Sequence, residues 1–190
     1  MSATATAVVP PTVTPKITIA TTWLDGCSGC HMSFLDMDER LVDLADKIDI
    51  VYSPLVDAKT LPEQVDVGIL EGSVSNEEDL HKAKEFRKHC KLLISLGDCA
   101  VNGNVPAMRN PFKLDEVIER AYRDNVDLNP QIPTEGVPAL LATVRPIHDV
   151  VAVDVFVPGC PPQADAIFYI LSELIAGRMP DPSSVTRFGA

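Results

Sequence analysis

The chain has 190 residues, of which 46% are hydrophobic and 23% charged, values that are ordinary for a globular domain able to bury a core. Its net charge of −11 argues against a nucleic-acid partner, because phosphate backbones are bound by basic patches and none is visible. We also expect no membrane span, since no apolar run approaches the roughly 20 residues that cross a bilayer.

The first 15 residues are rich in Ala, Thr and Pro and lack the basic and apolar segments of an export signal. We therefore expect a flexible arm over residues 1–15, a domain over residues 16–177 and a tail over residues 178–190. A cytoplasmic location is expected too. In a reducing compartment, the five cysteines would bind metal or do redox chemistry more often than form disulfides.

From residue 16 onward, β-rich runs alternate with helical patterns, which predicts a parallel sheet covered by helices. Strands are predicted at residues 16–23, 48–54, 65–72, 91–97 and 150–159. Helices are predicted at residues 32–47, from a cap at Ser75 or Asn76 to about residue 90, and at 112–123 and 164–177. The pattern indicates an α/β, flavodoxin-like, doubly wound sheet with helices on both faces. Ligands of such sheets bind beyond the carboxyl ends of the strands.

Four of the five cysteines come directly after predicted strands. The first strand is followed by Cys27 and Cys30, the fourth by Cys99 and the fifth by Cys160. Because parallel strands end at the same edge of a sheet, we expect these four thiols to converge. The fifth cysteine, Cys90, precedes the fourth strand and is expected at the opposite edge as a small buried hydrophobe.

The loops that contain the four cysteines also contain glycines. Gly26 and Gly159 directly precede two of the cysteines, and their backbone N–H groups can approach a negatively charged centre. Four thiols on one rigid edge, lined with free amides, fit an iron–sulfur cluster. A structural zinc site, a thioredoxin-like dithiol and buried cysteines without any ligand are the alternatives that the spacing leaves open.

Two further residues are expected to surround the ligands rather than to bind metal themselves. Glu71 follows the third strand, where its carboxylate would assist proton movement or orient a partner, unless it is a plain helix-entry acid. His31 is expected as a hydrogen-bond donor or helix-start residue beside Cys30. We do not expect FMN in this chain, because cysteines occupy the loop that would cradle its phosphate.

Three ordered motifs resemble the small subunit of nickel–iron hydrogenases: Cys27-x-x-Cys30, Gly97-x-Cys99-x-x-x-Gly103 and Pro158-Gly-Cys-Pro-Pro162. The resemblance spans about residues 16–177. It implies that the four cysteines bind one 4Fe–4S cluster and that the chain has no catalytic residue of its own. The related subunit of respiratory complex I has adjacent cysteines in the first motif, so the C-x-x-C spacing favours hydrogenase. One departure from the family is Gly103-Asn104, where Gly-Gly is usual.

The stretch CSGCHMSFLDMDE is similar to the NAD-reducing, bidirectional, cytoplasmic type. That similarity implies a subunit of a hydrogen:NAD+ oxidoreductase that relays electrons between partners. The implied partners are a nickel–iron large subunit and diaphorase subunits that bind flavin, NAD and further iron–sulfur clusters. The alternatives are a small subunit of another cytoplasmic nickel–iron hydrogenase of the sulfhydrogenase type and a zinc-stabilised interaction scaffold.

Overall fold

The computed structural model describes residues 16–186, in which seven strands form two sheets. The predicted arm over residues 1–15 and the last four residues of the predicted tail lie outside this range. The strands are, in chain order, β1 (Ile17–Trp23), β2 (Ile48–Tyr52), β3 (Val65–Glu71), β4 (Val74–Asn76), β5 (Cys90–Leu96), β6 (Leu140–Arg145) and β7 (Val155–Val157).

The main sheet has five parallel strands in the order β2-β1-β3-β5-β7. The chain runs from β1 out to β2, then crosses back over β1 to β3 and continues in the other direction. This reversal is the flavodoxin-like, doubly wound order, and it confirms the predicted fold class. The remaining strands, β4 and β6, form a separate antiparallel pair.

Six α-helices lie in the described range: α1 (Gly29–Leu35), α2 (Glu39–Ala45), α3 (Glu77–His89), α4 (Asp98–Asn102), α5 (Leu114–Glu119) and α6 (Ala164–Ile175). A π-helical turn at Arg120–Asp124 continues α5, and short 3₁₀ turns lie at Pro106–Arg109, Ile147–Asp149 and Pro182–Ser184. Among residues 16–186, no helix has the length and apolar character that crossing a membrane requires.

Apolar side chains cover both faces of the main sheet. On one face, Phe34, Leu44 and Ile167 bring α1, α2 and α6 onto the strands. On the other face, Phe86 and Ala100 do the same for α3 and α4. Helices on both faces are therefore confirmed, and the two cores hold the strand ends in fixed positions.

The helix predicted at residues 32–47 is wrong in its continuity, because the chain breaks it into α1 and α2. Asp38 has a φ of 51°, which is incompatible with a continuous right-handed helix. Met37, in the middle of the break, is buried in the same core as Phe34 and Leu44. The break contains neither Gly nor Pro, so the sequence provides no local signal for it.

The last predicted strand, at residues 150–159, is also shorter than expected. Only Val155–Val157 pairs with β5, while Val150, Val151 and Val153 pack on the core that contains Phe86. Their apolar character reflects burial outside the sheet. Strand β6 was missed altogether, because most of its side chains are exposed and it pairs with β4 through backbone hydrogen bonds.

The helix cap predicted at Ser75 or Asn76 is confirmed at Asn76, which precedes α3. Its side-chain Oδ1 accepts a hydrogen bond of 2.9 Å from the backbone N–H of Asp79, as an N-cap residue does. Acidic residues occupy the first turn of α3 and basic residues its last turn, which complements the helix dipole.

Replacement of Phe86 by Ala tests the core formed with α3. The Phe86 ring is fully buried and contacts Tyr52 edge-on, with 5.7 Å between ring centroids. We expect Phe86→Ala to lower the free energy of unfolding by about 3–5 kcal/mol, measured by anaerobic urea denaturation. Phe112→Ala is the matched control, because that ring is 62% exposed. An equal loss in both variants would contradict this account of the core.

Candidate metal centre

Four strands of the main sheet end in a single row. The pairing aligns Trp23 of β1 with Glu71 of β3, Glu71 with Leu96 of β5, and Leu96 with Val157 of β7. Each of these residues is the last of its strand. The loops that follow the four strands therefore start side by side at the carboxyl edge of the sheet.

The structure brings the four cysteines expected to converge to this edge. Cys27 lies in the loop after β1, Cys30 in the first turn of α1, Cys99 in α4 and Cys160 directly after β7. All are free thiols. Cys90, also free, begins β5 and pairs with Val65 at the opposite edge, where burial raises the pKa of its thiol to about 11.

The cysteine loops are in close contact with one another. A Cβ atom built on Gly97 would overlap the sulfur of Cys30, so the start of the Cys99 loop lies directly against that thiol. Gly97 has a φ of +86°, which also favours glycine. Sequence reasoning pointed to glycines in this loop, but not to this contact between the β5 loop and α1.

Electrostatic interactions also connect the four sulfurs. Burial raises the pKa of the Cys30 thiol well above its usual value, and repulsion from four neighbours that can carry negative charge raises it further: Glu71, Cys99, Cys27 and Cys160. Burial likewise raises the pKa of Cys99, as do Cys160, Cys27 and Glu71. Burial and mutual repulsion therefore disfavour negative charge on Cys30 and Cys99 unless a cation is bound.

Glu71 and His31 form a buried hydrogen-bonded pair beside Cys30. The Glu71 carboxylate is 2% exposed and accepts hydrogen bonds from the backbone N–H groups of Cys30 (3.1 Å) and His31 (2.9 Å). It also contacts Nδ1 of the His31 ring. Glu71 therefore caps the first turn of α1 from the end of β3, and fixes the backbone at Cys30.

The hydrogen-bond chain continues from the other side of the His31 ring. Nε2 of His31 lies 3.0 Å from the hydroxyl of Thr21, which donates to the hydroxyl of Ser53 at 2.9 Å. The ring of Trp23 packs edge-on against His31, with centroids 5.4 Å apart. Sequence reasoning singled out Glu71 and His31 but not Thr21 or Ser53, because only the pairing of β1 with β2 and β3 brings these groups together.

Asp98 joins the loops that carry Cys99 and Cys160. Its backbone N–H donates to the carbonyl of Gly159 (2.9 Å), and its side chain accepts from the N–H of Gly159 (2.8 Å). Gly159 has a φ of +137°, and a Cβ there would lie 2.6 Å from the Cα of Pro162. Gly159 was expected near the ligands from its position before Cys160, but no sequence pattern identified Asp98.

Gly26, the other glycine expected near the ligands, approaches the loop after β3. A Cβ at Gly26 would lie 3.3 Å from the Cα of Gly72. Nearby, Asp25 and Ser73 form an isolated antiparallel bridge. Gly26 therefore serves the close packing of two loops next to Cys27.

The edge is buried on one side and open on the other. Cys30 is buried, Cys99 is half-buried, and Cys27 and Cys160 are exposed. The side-chain Nδ2 of Asn104 lies 3.5 Å from the sulfur of Cys160, within reach of a weak N–H···S hydrogen bond. Asn104 is the residue that replaces the usual second glycine after Cys99.

Fold and site together define a flavodoxin-like α/β protein whose carboxyl edge carries four free cysteines. The family model of the NADH ubiquinone oxidoreductase 20 kDa subunit matches residues 27–174. The chain is 46% identical over 179 residues to subunit delta of the NAD-reducing hydrogenase HoxS of Cupriavidus necator, covering 91% of this chain and 86% of that protein. The chain belongs to this oxidoreductase subunit family.

Two more comparisons agree with the expected resemblance to hydrogenase small subunits. A subunit of the F420-non-reducing hydrogenase of Methanothermobacter marburgensis is 43% identical over 168 residues, which is 85% of this chain but 54% of that protein. A solved structure of a NAD+-reducing [NiFe]-hydrogenase in the H2-reduced state contains a chain with 39% identity and a TM-score of 0.87. The alignment covers 92% of this chain and 99% of that one, and the resemblance is confirmed.

Replacement of Gly97 by Ala tests the close approach of the loop after β5 to Cys30 of α1. The new methyl group would overlap the sulfur of Cys30, in addition to the strain of a positive φ. Gly136→Ala is the matched control, since Gly136 has a φ of +73° and no heavy atom within 4 Å of a Cβ. We expect Gly97→Ala to lose about 1–3 kcal/mol more unfolding free energy than the control in anaerobic urea denaturation. Equal losses of unfolding free energy in the two variants would show that the loop after β5 can move away from Cys30 at little cost.

Proposed function

We propose that this chain is the electron-transfer small subunit of a NAD-reducing nickel–iron hydrogenase, with one 4Fe–4S cluster bound by Cys27, Cys30, Cys99 and Cys160. The observation that carries the proposal is the convergence of four free thiols at one sheet edge. The similarity to the Cupriavidus hydrogenase subunit supports the assignment of the enzyme class.

The spacing of the cysteines along the sequence favours a cluster over a single zinc ion. Within residues 16–186, no three or more Cys, His, Asp or Glu side chains are arranged to hold one metal ion. Four sulfurs around one zinc must all approach it to about 2.3 Å. Structural zinc sites usually take two close Cys-x-x-Cys pairs, whereas this chain has one such pair and two single cysteines, which favours the cluster.

The donor set and the shape of the edge fit such a group. Thiolates are the ligands of iron–sulfur clusters, and a bound iron centre would supply the positive charge that favours ionisation of these thiols, including the buried Cys30. The loops are held by Glu71 and by Asp98 through bonds to residues at or next to three of the ligands. These side chains would orient the ligands, as groups behind a metal site commonly do.

We propose that partner subunits cover the open side of the edge. Cys27 and Cys160 are exposed, and so are apolar side chains near the ligand loops: Trp23, Met32, Val105 and Met108. Exposed apolar groups around a functional edge are typical of protein interfaces. From the resemblance of the cysteine motifs, we propose that the partners are a nickel–iron large subunit and diaphorase subunits with flavin, NAD and further iron–sulfur clusters.

Hydrogen splitting and NAD binding are assigned to those partners. Outside the proposed ligand set the sequence contains one cysteine, Cys90, whereas a nickel–iron centre needs several. No G-x-G-x-x-G fingerprint follows any strand. The loop after β1 contains Cys27 and Cys30, so flavin is proposed to bind in the partners too.

Five free cysteines fit the proposed cytoplasmic location.

Ligand replacement combined with iron and sulfide analysis tests the cluster. Anaerobically purified wild-type protein should contain about four irons per chain, and serine at any of the four ligand positions should abolish or strongly reduce this. Cys90→Ser is the matched control and should keep the iron, because Cys90 lies at the opposite edge. Zinc in place of iron, or a Cys160→Ser variant with full iron, would refute the assignment.

The relay role is tested in the assembled complex. Cys99→Ser should stop hydrogen-dependent NAD reduction but leave NADH oxidation by artificial acceptors unchanged, because the latter needs the flavin module alone. Both rates are measured spectrophotometrically, together with the iron content. If hydrogen-dependent NAD reduction continues after verified loss of this cluster, the chain is not the relay.

A further inference from the structure

Asn104 occupies an unusual position directly beside Cys160, one of the proposed ligands. It follows α4 with a φ of +35°, in the left-handed region that Asn tolerates better than most residues. Its backbone N–H donates to the side chain of Asn102 at 2.9 Å. This conformation directs the side chain towards Cys160, where Nδ2 lies 3.5 Å from the sulfur.

Asn104 follows Cys99 along the chain, just beyond the end of α4. Its bond to Cys160 therefore connects the loop after α4 with the loop after β7. Cys30, on the buried side of the edge, instead has the carboxylate of Glu71 as its neighbour. One side of the site thus has a neutral hydrogen-bond donor and the other an acidic group.

We propose that Asn104 sets the reduction potential of the cluster by donating an N–H···S hydrogen bond to Cys160. This inference rests on the proposed function, since it presupposes the cluster. Reduction adds one electron, supplied by dithionite in the test below. All four iron–thiolate bonds are kept and no proton is transferred. The added negative charge is spread partly over the sulfurs, so a donor at the sulfurs stabilises the reduced form more than the oxidised form and raises the potential.

Asn104→Gly removes the donor and leaves the backbone unstrained, because glycine readily adopts positive φ. At a fixed applied potential we expect the ratio of reduced to oxidised cluster to fall roughly fivefold to tenfold, the size of effect expected for the net contribution of one ordinary hydrogen bond. For a one-electron couple this fold-change corresponds to about 40–60 mV towards lower potential. Asn104→Asp, which replaces the donor with a negative charge, should lower the potential further.

The experiment uses the complex purified anaerobically, titrated with dithionite while the reduced cluster is followed by EPR. Other subunits are unchanged, so differences between wild type and variants report this cluster. The matched control is Asn129→Gly, because Asn129 also has a left-handed φ, of 55°, and lies in an exposed loop. Its potential should equal that of the wild type.

The outcomes separate this inference from the proposed function. If Asn104→Gly keeps its full iron content and its reduction potential is unchanged or higher, the proposed role of Asn104 is wrong but the proposed function still stands. The same conclusion follows if Asn104→Asp retains its iron and its reduction potential does not fall below that of the wild type. Absence of iron from the wild-type chain would overturn the proposed function, and this inference with it. A fall in potential in the order wild type, Asn104→Gly, Asn104→Asp, with Asn129→Gly unchanged, supports it.

Discussion

The aligned row of Trp23, Glu71, Leu96 and Val157 is the constraint on which the site depends. Parallel pairing fixes where four neighbouring strands end, and apolar packing on both faces prevents the strands from sliding. Three of the four ends lead into loops that contain cysteines, and the fourth end is Glu71 itself. Residues as far apart in the chain as Cys27 and Cys160 are thereby brought to one edge by the fold itself.

Hydrogen bonds between the loops convert this shared edge into a defined site. Glu71 ties the first turn of α1 to the end of β3, and Asp98 ties the start of α4 to the residue before Cys160. Both carboxylates are largely buried, and both accept backbone N–H groups, which offsets the cost of removing charge from water. The loops would otherwise be free to move, because glycines leave little side-chain packing to hold them. Preorganisation of this kind is what keeps metal ligands in place before metal binds.

The sequence predicted the parts of this arrangement that follow from periodicity and topology. Strand runs, the glycines in the loops and the cysteines after strands were enough to place the four thiols at one edge, with Cys90 at the other. The sequence could not predict the break at Asp38, strand β6, or the roles of Asp98 and Thr21. These depend on backbone conformation and on contacts between distant segments, for which a single sequence carries no periodic signal. Asn104 was visible as a departure from the family pattern, but its contact with Cys160 was not.

The burial gradient across the edge bears on the proposed role in electron transfer. A fully enclosed cluster would be insulated from its partners, and a fully exposed one would be open to water and oxidants. Here Cys30 and Glu71 lie on the buried side, while Cys27, Cys160 and Asn104 lie towards the surface. The acidic neighbour disfavours added negative charge near Cys30, and the amide donor favours it near Cys160. If the proposed cluster is bound here, an added electron would be stabilised on the exposed side of the edge, which is the side that the proposed partner subunits would approach.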